Sequence, residues 1–366
     1  MKAIAIKTGE KGVSLIEVQE PSINAPDEIK IRMLQVGICG TDREEVSGGR
    51  AHPPAGKNKL VIGHEMFGQV VETGAAVKKV KKDDYGVFLV RRGCGQCKAC
   101  LNGRSDMCFT GNYTERGIKG ADGFQAAYVV DKEQYFVQVP PDMKSIGVLT
   151  EPMSVASKAI EEAMIIQEAR MKTFSKEDGL QGKKALVAGI GTIGLMAAFA
   201  LRLRGAEVTG MDIVDENTLR PQILKRIGGR YVDGRKVQVT DLDDVLGEVD
   251  FIFEAAGIAK LQLQLIDALG INGIYVVTGI PAESREQSLE AGKLLQQLVL
   301  KNQIVLGSVN AGIHHYNIAV QDLHACLEQW PEEINSIITE KIPFQDFQKA
   351  FAGHSAEEIK VVLEWG

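Results

Sequence analysis

Residues 184–196 of the chain read KALVAGIGTIGLM, a short apolar stretch that runs into three closely spaced glycines and then into helix-forming residues. The pattern G-x-G-x-x-G in this context predicts a strand, a tight turn and a helix. Gly189 permits the turn, Gly191 lets the backbone approach a pyrophosphate, and Gly194 allows the helix to pack closely on the strand. Because unpaired N–H groups at the start of the helix then face the phosphates, this stretch predicts a dinucleotide site.

Strands and helices alternate from this motif onward. The predicted strands are 184–189, 207–211, 249–254, 274–279 and 304–308, and the predicted helices are 194–203, 218–227, 261–269 and 292–301. Such alternation with short connections predicts a parallel, doubly wound Rossmann sheet covered by helices on both faces. We place this dinucleotide-binding domain at residues 156–310.

An acidic residue, Asp212, ends the second predicted strand of this domain. A carboxylate there can accept hydrogen bonds from both ribose hydroxyls and would repel a 2′-phosphate, which favours NAD over NADP. The alternative for Asp212 is a solvated acid at a strand end, and the nearby Arg220 and Arg226 leave NADP open. The further cofactor-binding candidates are Thr192, Ile193, Thr278, Gly279, Ile280, Ser308 and Asn310.

The first 150 residues have a different pattern. Short apolar runs at 29–36, 67–72, 86–90, 125–130 and 135–139 alternate with Gly, Pro and Asp, which is typical of β-structure. A helix is predicted over 151–169, followed by a polar loop over 171–183. Near the C-terminus, a second helix is predicted over 319–329. These patterns predict a β-rich domain at the start of the chain.

Four of the six cysteines lie within a short stretch, as C-x2-C-x2-C-x7-C, and they are Cys94, Cys97, Cys100 and Cys108. In a long chain without a secretory signal, such spacing indicates a metal site rather than disulfides. Four thiolates complete a tetrahedral zinc site and leave no place for water, so we expect a structural zinc. The same ligand set could hold an iron–sulfur cluster, but the spacing lacks the continuation of bacterial ferredoxins.

A second group of zinc-ligand types lies outside this cluster. Cys39 and His64 are candidate ligands, and Glu65 and Glu151 are carboxylate candidates for a further place. A catalytic zinc takes about three protein ligands and keeps one position open. Taken singly, Cys39 and His64 could equally be buried core residues. Their occurrence in one chain with a cysteine cluster and a dinucleotide motif favours a catalytic zinc.

Length and charge limit the functional classes. The chain has 366 residues, which predicts two domains, and its formal net charge of −6 argues against a nucleic-acid partner. It contains no run of about 18 uncharged apolar residues, and its N-terminus lacks the features of a signal peptide. We therefore expect a cytoplasmic protein that does not cross a membrane.

Together, these motifs resemble those of the zinc-containing medium-chain dehydrogenase/reductase family. The resemblance covers essentially the whole chain and rests on GICGTD at 37–42, GHEMFG at 63–68, the four cysteines and the glycine motif. It implies a GroES-like, partly open β-barrel catalytic domain formed by residues 1–155 and completed by 311–366. It also implies a structural zinc lobe at 91–110 and a Rossmann domain inserted between the two catalytic segments.

Within that family, the chain is most similar to glucose 1-dehydrogenases of the archaeal type. This narrower resemblance rests on TEPMS at 150–154, NYTERGIKG at 112–120, LVLKN at 298–302 and GSVN at 307–310. It implies that Cys39 and His64 bind zinc and that Glu65 and Glu151 lie at the zinc, directly or through water. The residues implied to touch the sugar are Thr41, Glu115, Glu151 and Asn310. The chain departs from the pattern at Val155, where some relatives carry a sugar-binding acid, and at Asp212, where relatives that use NADP carry arginine.

The implied reaction is the oxidation of a glucose-like aldose at C1 to the lactone, with hydride transfer to NAD(P). We expect zinc to act as a Lewis acid, Thr41 to pass a proton outward, and Glu65 or Glu151 to act as base. Two alternatives stay open: a zinc-dependent polyol, secondary-alcohol or threonine dehydrogenase, and a catalytically inactive cofactor-binding protein. The presence of both Cys39 and His64 argues against the second alternative. Since most members of the family are dimers or tetramers, we expect a homo-oligomer whose other partner is a small sugar or alcohol.

Overall fold

The computed structural model describes residues 1–49, 51–171, 179–281, 286–288, 290–353 and 355–366. The predicted polar loop over 171–183 therefore lies mostly outside the described residues. None of the helices in the described part of the chain combines the length and the apolarity needed to cross a membrane.

Strands predominate in the first part of the chain, and the longer helices follow from Thr150 onward. The strands are β1 (Lys2–Lys7), β2 (Ser14–Glu17), β3 (Glu28–Ile38), β4 (Lys59–Val61), β5 (Glu65–Thr73), β6 (Tyr85–Phe88), β7 (Arg91–Arg92), β8 (Thr114–Arg116), β9 (Gly120–Ala121), β10 (Tyr128–Lys132), β11 (Phe136–Gln138), β12 (Lys184–Ala188), β13 (Glu207–Asp212), β14 (Arg230–Asp233), β15 (Val249–Glu254), β16 (Leu269–Val277), β17 (Ile304–Gly307), β18 (Ile338–Pro343) and β19 (Lys360–Glu364). The helices are α1 (Gly40–Val46), α2 (Lys98–Leu101), α3 (Thr150–Arg170), α4 (Thr192–Leu203), α5 (Leu219–Arg226), α6 (Leu242–Leu246), α7 (Ala259–Gln264), α8 (Ala291–Leu300), α9 (Ile313–Gln329) and α10 (Pro331–Asn335).

The first compact unit comprises Met1–Ser154, Asn310–Leu327 and Ile334–Gly366. Its largest sheet has seven strands in the order β11-β6-β5-β3-β19-β18, with β10 paired to β3, and two three-stranded sheets accompany it. The central strand β3 buries apolar side chains along its length and pairs antiparallel with both β5 and β19. This pairing places the end of β3, the start of β5 and the C-terminal strand β19 side by side.

The second compact unit comprises Val155–Val309 and Glu328–Glu333. Its six strands form one parallel sheet in the order β14-β13-β12-β15-β16-β17, which confirms the parallel sheet predicted from the strand–helix alternation. Because all six strands run in the same direction, their carboxyl ends share one edge. From β12 the chain first adds strands on one side of the sheet (β13, β14) and then on the other (β15 to β17). In open α/β sheets, ligands bind at the carboxyl ends of the two strands where this change of side occurs, here β12 and β15.

One local prediction in this unit was wrong, and one strand was not predicted. The helix predicted over 261–269 ends at Gln264; a 3-10 helix covers Leu265–Ala268, and Leu269 already begins β16. The apolar spacing of residues 261–269 suits a helix, but Leu269 pairs with Val249 on β15 and is therefore part of a strand. The short strand β14 was not predicted, because four residues with polar ends carry too little periodicity.

Candidate active site

Cys39 lies where β3 ends and is the N-cap of α1. Its sulfur accepts a hydrogen bond from the Thr41 amide at 3.2 Å, and the Asp42 carboxylate accepts one from the Cys39 amide at 2.9 Å. This reciprocal cap satisfies free N–H groups at the start of α1 and fixes the position of the sulfur. Thr41, the predicted proton-relay residue, therefore contacts Cys39 through its backbone.

His64 is brought to Cys39 by the turn that precedes β5. The His64 Nε2 atom lies 3.0 Å from the Cys39 sulfur. Gly63 has a φ of +88°, and a Cβ at this position would lie 2.5 Å from the Gln125 side chain, so the turn requires glycine. On the other side of the ring, His64 Nδ1 lies 3.6 Å from an Asp42 carboxylate oxygen, which places a negative charge behind the ring but is too long for a hydrogen bond.

Glu65 forms a buried ion pair that was not predicted. The Lys360 ammonium on β19 lies 2.8 and 2.6 Å from the two Glu65 carboxylate oxygens and donates a third hydrogen bond to the Ile38 carbonyl at 3.1 Å. Both residues are 2% exposed. A Cβ at Gly37, which is paired with Glu65, would lie 2.2 Å from the carboxylate, so glycine makes room for it.

The ligand atoms of Cys39, His64 and Glu65 all lie within 4.8 Å of one another. The three predicted ligands thus converge, with sulfur, nitrogen and oxygen donors that suit zinc. Burial disfavours charge on His64, but the Cys39 thiol and Asp42 outweigh it and raise the His64 pKa. Burial raises the pKa of the Cys39 thiol. A dication placed among these atoms would reverse both effects, because it favours the thiolate and the neutral imidazole.

Glu151 lies in the first turn of α3 and is not part of this group of three among the described residues. Burial raises the pKa of Glu151 to about 7; the positive charge of His64 lowers it, and the negative charge of Glu65 raises it further. The carboxylate is therefore electrostatically connected to the group without being one of its converging ligands.

Two predicted sugar-binding residues, Glu115 and Asn310, are in direct contact. The Asn310 side-chain amide donates to Glu115 Oε1 at 2.7 Å, and Asn310 has a φ of +61°. The Arg91 guanidinium also donates to Glu115 Oε1, from Nε at 3.1 Å and from Nη2 at 2.9 Å. All hydrogen bonds that the described residues donate to this carboxylate reach Oε1, which leaves Oε2 for a ligand.

The four clustered cysteines also converge. The ligand atoms of Cys94, Cys97, Cys100 and Cys108 lie within 4.8 Å of one another. Hydrogen bonding, chiefly from the Thr110 hydroxyl, lowers the pKa of Cys108 to about 6, whereas burial raises the pKa of Cys100 to about 12. Four sulfurs at these distances form a closed ligand set for one metal ion.

The glycine motif lies at the carboxyl end of β12 as predicted. Gly189 has a φ of +84°, and a Cβ at Gly194 would lie 1.8 Å from the Gly189 carbonyl oxygen. A Cβ at Gly191 would meet no atom within 4 Å, so this position is open to a ligand. Asp212 Oδ2 accepts a hydrogen bond from the Ile190 amide at 2.9 Å, which ties the end of β13 to the glycine loop.

Thr192 and Ile193 begin α4, and the other cofactor candidates of this unit follow later strands at the same edge of the sheet. Thr278, Gly279 and Ile280 follow β16, and Ser308 follows β17. Ser308 is 8% exposed, and its hydroxyl has no hydrogen-bond partner among the described residues. A buried polar group without a partner is typical of a position that a ligand satisfies.

Three residues of these sites were missed by sequence reasoning: Lys360, Arg91 and Glu254, a buried acid at the end of β15. Lys360 is the first residue of β19 and Glu254 is the last residue of β15, and both strands are largely apolar. Charged residues are almost never fully buried unless they are paired or hydrogen-bonded. A charged residue at the end of an apolar stretch therefore indicates a buried polar contact, but the sequence does not identify the partner.

Comparisons with known proteins identify relatives that span the whole chain. The alcohol dehydrogenase GroES-like domain matches residues 25–141, and the glucose dehydrogenase C-terminus matches residues 144–365. The glucose 1-dehydrogenase of Methanocella arvoryzae is 34% identical over 100% of both chains, and that of Thermoproteus tenax is 33% identical over 100% of this chain and 99% of its own. The solved structure of Haloferax mediterranei glucose dehydrogenase in complex with NADP, Zn and gluconolactone superposes with a TM-score of 0.89. Its sequence is 31% identical, and the match covers 100% of this chain and 99% of that chain.

Proposed function

Because this chain belongs to the glucose dehydrogenase family of zinc-containing medium-chain dehydrogenases, we propose that it oxidises a glucose-like aldose at C1 to the lactone, with hydride transfer to NAD(P). The observation that carries the proposal is the convergence of Cys39, His64 and Glu65. Residues 1–155 with 311–366 form the catalytic domain in this proposal, and residues 156–310 form the cofactor domain.

The donor set of each metal site fits zinc. Cys39 and His64 would hold the catalytic ion with Glu65 close by, and the four clustered cysteines would hold the structural ion. When bound at the first site, zinc supplies a Lewis acid that lowers the pKa of a substrate hydroxyl. The bound nicotinamide supplies the hydride acceptor.

The side chains of the catalytic domain orient the sugar and move its proton. Glu115 Oε2 accepts a hydrogen bond from a sugar hydroxyl, while Arg91 and Asn310 hold the opposite oxygen in place. Both oxygens of Glu65 accept from Lys360, so Glu151 is the better candidate for the base. The half-buried Thr41 hydroxyl carries the proton outward.

We propose that NAD is preferred over NADP, although the Haloferax relative was solved with NADP. Asp212 places a carboxylate at the end of β13, held by hydrogen bonds from the amides of Ile190 and Ile213. A fixed negative charge at this strand end repels a 2′-phosphate and accepts from ribose hydroxyls. Ser308 adds an unpartnered hydroxyl at the same edge, within the described part of the chain.

The test is a matrix of aldoses, polyols, secondary alcohols and threonine against NAD and NADP, followed by absorbance of the reduced cofactor. We expect turnover of glucose or a closely related aldose with both cofactors and a higher kcat/KM with NAD. Exclusive turnover of a polyol, secondary alcohol or threonine would assign the chain to the alternative dehydrogenase. A protein that binds cofactor but turns over nothing would support the inactive alternative.

A homodimer is part of the proposal. Strand β17 is the last strand on its side of the sheet, and the apolar side chains of Val299, Leu300 and Val305 on α8 and β17 are 75%, 71% and 43% exposed. An unpaired strand edge flanked by apolar residues favours pairing with another strand. A second copy of the chain, related by a twofold axis, can supply the identical strand in antiparallel orientation.

A further inference from the structure

Glu254 is a buried acid that the proposed mechanism does not use. It is the last residue of β15 and is 0% exposed. Its Oε1 atom accepts a hydrogen bond from the Gly257 amide at 2.6 Å. Its Oε2 atom accepts from the Gln262 side-chain amide at 2.8 Å and from the Gly279 amide at 3.3 Å. One carboxylate therefore holds the loop after β15 and the loop after β16.

These two loops are packed tightly against each other and against the glycine motif. A Cβ at Gly279 would lie 2.3 Å from the Gly257 amide nitrogen, and a Cβ at Gly189 would lie 2.8 Å from the Ala256 amide nitrogen. The Gln262 amide also donates to the Gly279 carbonyl at 2.8 Å. Because these backbone segments are so close, a shift in one loop must be accompanied by a shift in the others.

The sheet order decides which part of the cofactor these loops face. Asp212 ends β13 on one side of β12, and Glu254 ends β15 on the other side. With the pyrophosphate at the glycine motif after β12 and the adenosine ribose at Asp212, the nicotinamide half extends toward the ends of β15 and β16. The predicted cofactor residues Thr278 and Gly279 follow β16 there, and the Thr278 hydroxyl donates to the Glu254 carbonyl at 2.7 Å.

We infer that Glu254 is a positioning residue for the dinucleotide: its carboxylate fixes the loops after β15 and β16 in the arrangement that receives the nicotinamide half. The inference rests on the proposed dehydrogenase function. Glu254 acts through backbone amides and Gln262 rather than by touching the cofactor. Because the nicotinamide half is common to NAD and NADP, Glu254 affects both cofactors equally, whereas Asp212 acts on the ratio between them.

The experiment compares Glu254→Gln with the wild-type holoenzyme by titrating NADH and NADPH and following their fluorescence on binding. The NH2 group of the glutamine must replace one carboxylate oxygen, and it then faces either the Gly257 N–H or the N–H groups of Gln262 and Gly279. In either orientation, N–H donors face each other without an acceptor between them. We expect the Kd values of both reduced cofactors to rise by about tenfold, the same factor for each, as for a buried hydrogen bond replaced by an unsatisfied pair. Zinc content and the KM for the sugar should stay within about twofold of the wild type.

A milder variant and a matched control keep the test decisive if Glu254→Gln folds poorly. Gln262→Leu removes the side-chain amide that donates to Glu254 Oε2 and to the Gly279 carbonyl, and it should raise both Kd values by about threefold. Gln167→Leu also removes a side-chain amide with two hydrogen bonds, one donated to the Asn272 carbonyl at 2.8 Å and one accepted from Arg170 at 2.8 Å. Gln167 lies in the same unit but away from the carboxyl ends of the strands. This control should lower the melting temperature and leave both Kd values unchanged.

Each other outcome overturns the inference. Unchanged Kd values with a lower melting temperature would make Glu254 a purely structural residue. A rise in the Kd of NADPH alone would place its effect at the 2′-phosphate. Absence of NADH and NADPH binding by the wild type would overturn the proposed function as well, so the two failures are distinguishable.

Discussion

At the residue scale, the candidate catalytic group depends on glycines as much as on its ligands. Gly63 makes the turn that brings His64 to Cys39, and Gly37 leaves space for the Glu65 carboxylate. Any side chain at Gly37 would overlap an oxygen that Lys360 also binds. The glycines of the motifs GICGTD and GHE therefore serve the same site, because each makes space or a turn that the ligands of that site need.

Replacement of Cys39 by serine should remove one zinc ion and leave the other. Because the two groups of ligand atoms share no residue, zinc content should fall from two ions per chain to one, and kcat/KM should fall by at least about a hundredfold. Metal analysis together with steady-state kinetics measures both effects. Cys326→Ala is the matched control, since this buried thiol belongs to neither group. Loss of both ions in Cys39→Ser would contradict two independent sites.

Lys360→Met tests the buried ion pair. Removal of one partner of a buried pair leaves an uncompensated charge, so the free energy of unfolding should fall by about 3 kcal/mol in the zinc-stripped protein. The loss should be smaller with zinc bound, because the ion offers Glu65 another positive partner. Urea denaturation with and without a chelator measures the difference.

The double variant Lys360→Met with Glu65→Leu is the control for this prediction. An apolar pair of similar volume should recover most of the lost stability, since buried ion pairs often gain little over well-packed apolar residues. Equal destabilisation of the zinc-stripped and zinc-bound forms of the single variant would argue against a connection between Lys360 and the metal site.

At the element scale, the Asp131 carboxylate connects three short strands near Glu115. Asp131 on β10 accepts hydrogen bonds from Arg92 on β7 at 2.7 Å and from Arg116 on β8 at 2.6 Å. Strands of two and three residues have little stability of their own, so these charge-assisted contacts fix β8 and with it Glu115. Burial raises the pKa of Asp131, but the two arginines outweigh it and hold the pKa below its usual value.

Asp131→Asn should therefore destabilise the protein in a pH-dependent way. Because the folded-state pKa lies below the unfolded value, the stabilisation is complete above about pH 4 and is lost as pH falls through the folded-state pKa. We expect a loss of about 2–3 kcal/mol at pH 7 and a narrowing difference from the wild type below about pH 4.

Urea unfolding at several pH values measures this effect. Asp27→Asn is the control, because Asp27 pairs with Lys132 at 3.2 Å at an exposed position, where an ion pair contributes about 0–1 kcal/mol. A difference between Asp131→Asn and the wild type that persists unchanged at low pH would show that the arginines do not lower the Asp131 pKa.

At the scale of the whole molecule, the proposed dimer depends on the exposed edge of the parallel sheet. The double variant Val299→Lys with Val305→Lys should convert the proposed dimer into a monomer, because the twofold axis then brings only positive charges together at the interface. Light scattering after size-exclusion chromatography measures the mass. Val245→Lys, at another exposed apolar position of the same unit, should leave the mass unchanged. A monomeric wild type, or a double variant with the wild-type mass, would contradict the β17 interface.

The family and fold predicted at this scale are confirmed by the two family matches and by relatives that span the whole chain. The cytoplasmic location and the preference for NAD stay predictions. The helix predicted through Leu269 was wrong because its apolar spacing suits a helix as well as a strand, and only pairing with β15 separates the two.

The sequence by itself determined the parts of each site that lie close together along the chain: the glycine turn, the cysteine lobe, and the family to which these motifs point. Short-range spacing restricts local geometry, so a motif carries its own structure. Only the tertiary structure decided that Lys360 holds Glu65 across 295 residues, that Asn310 holds Glu115 across 195, and that Glu254 joins two loops. Strand order and register bring these partners together. A charged residue that is buried needs a partner, but its position in the sequence does not specify which residue that partner is.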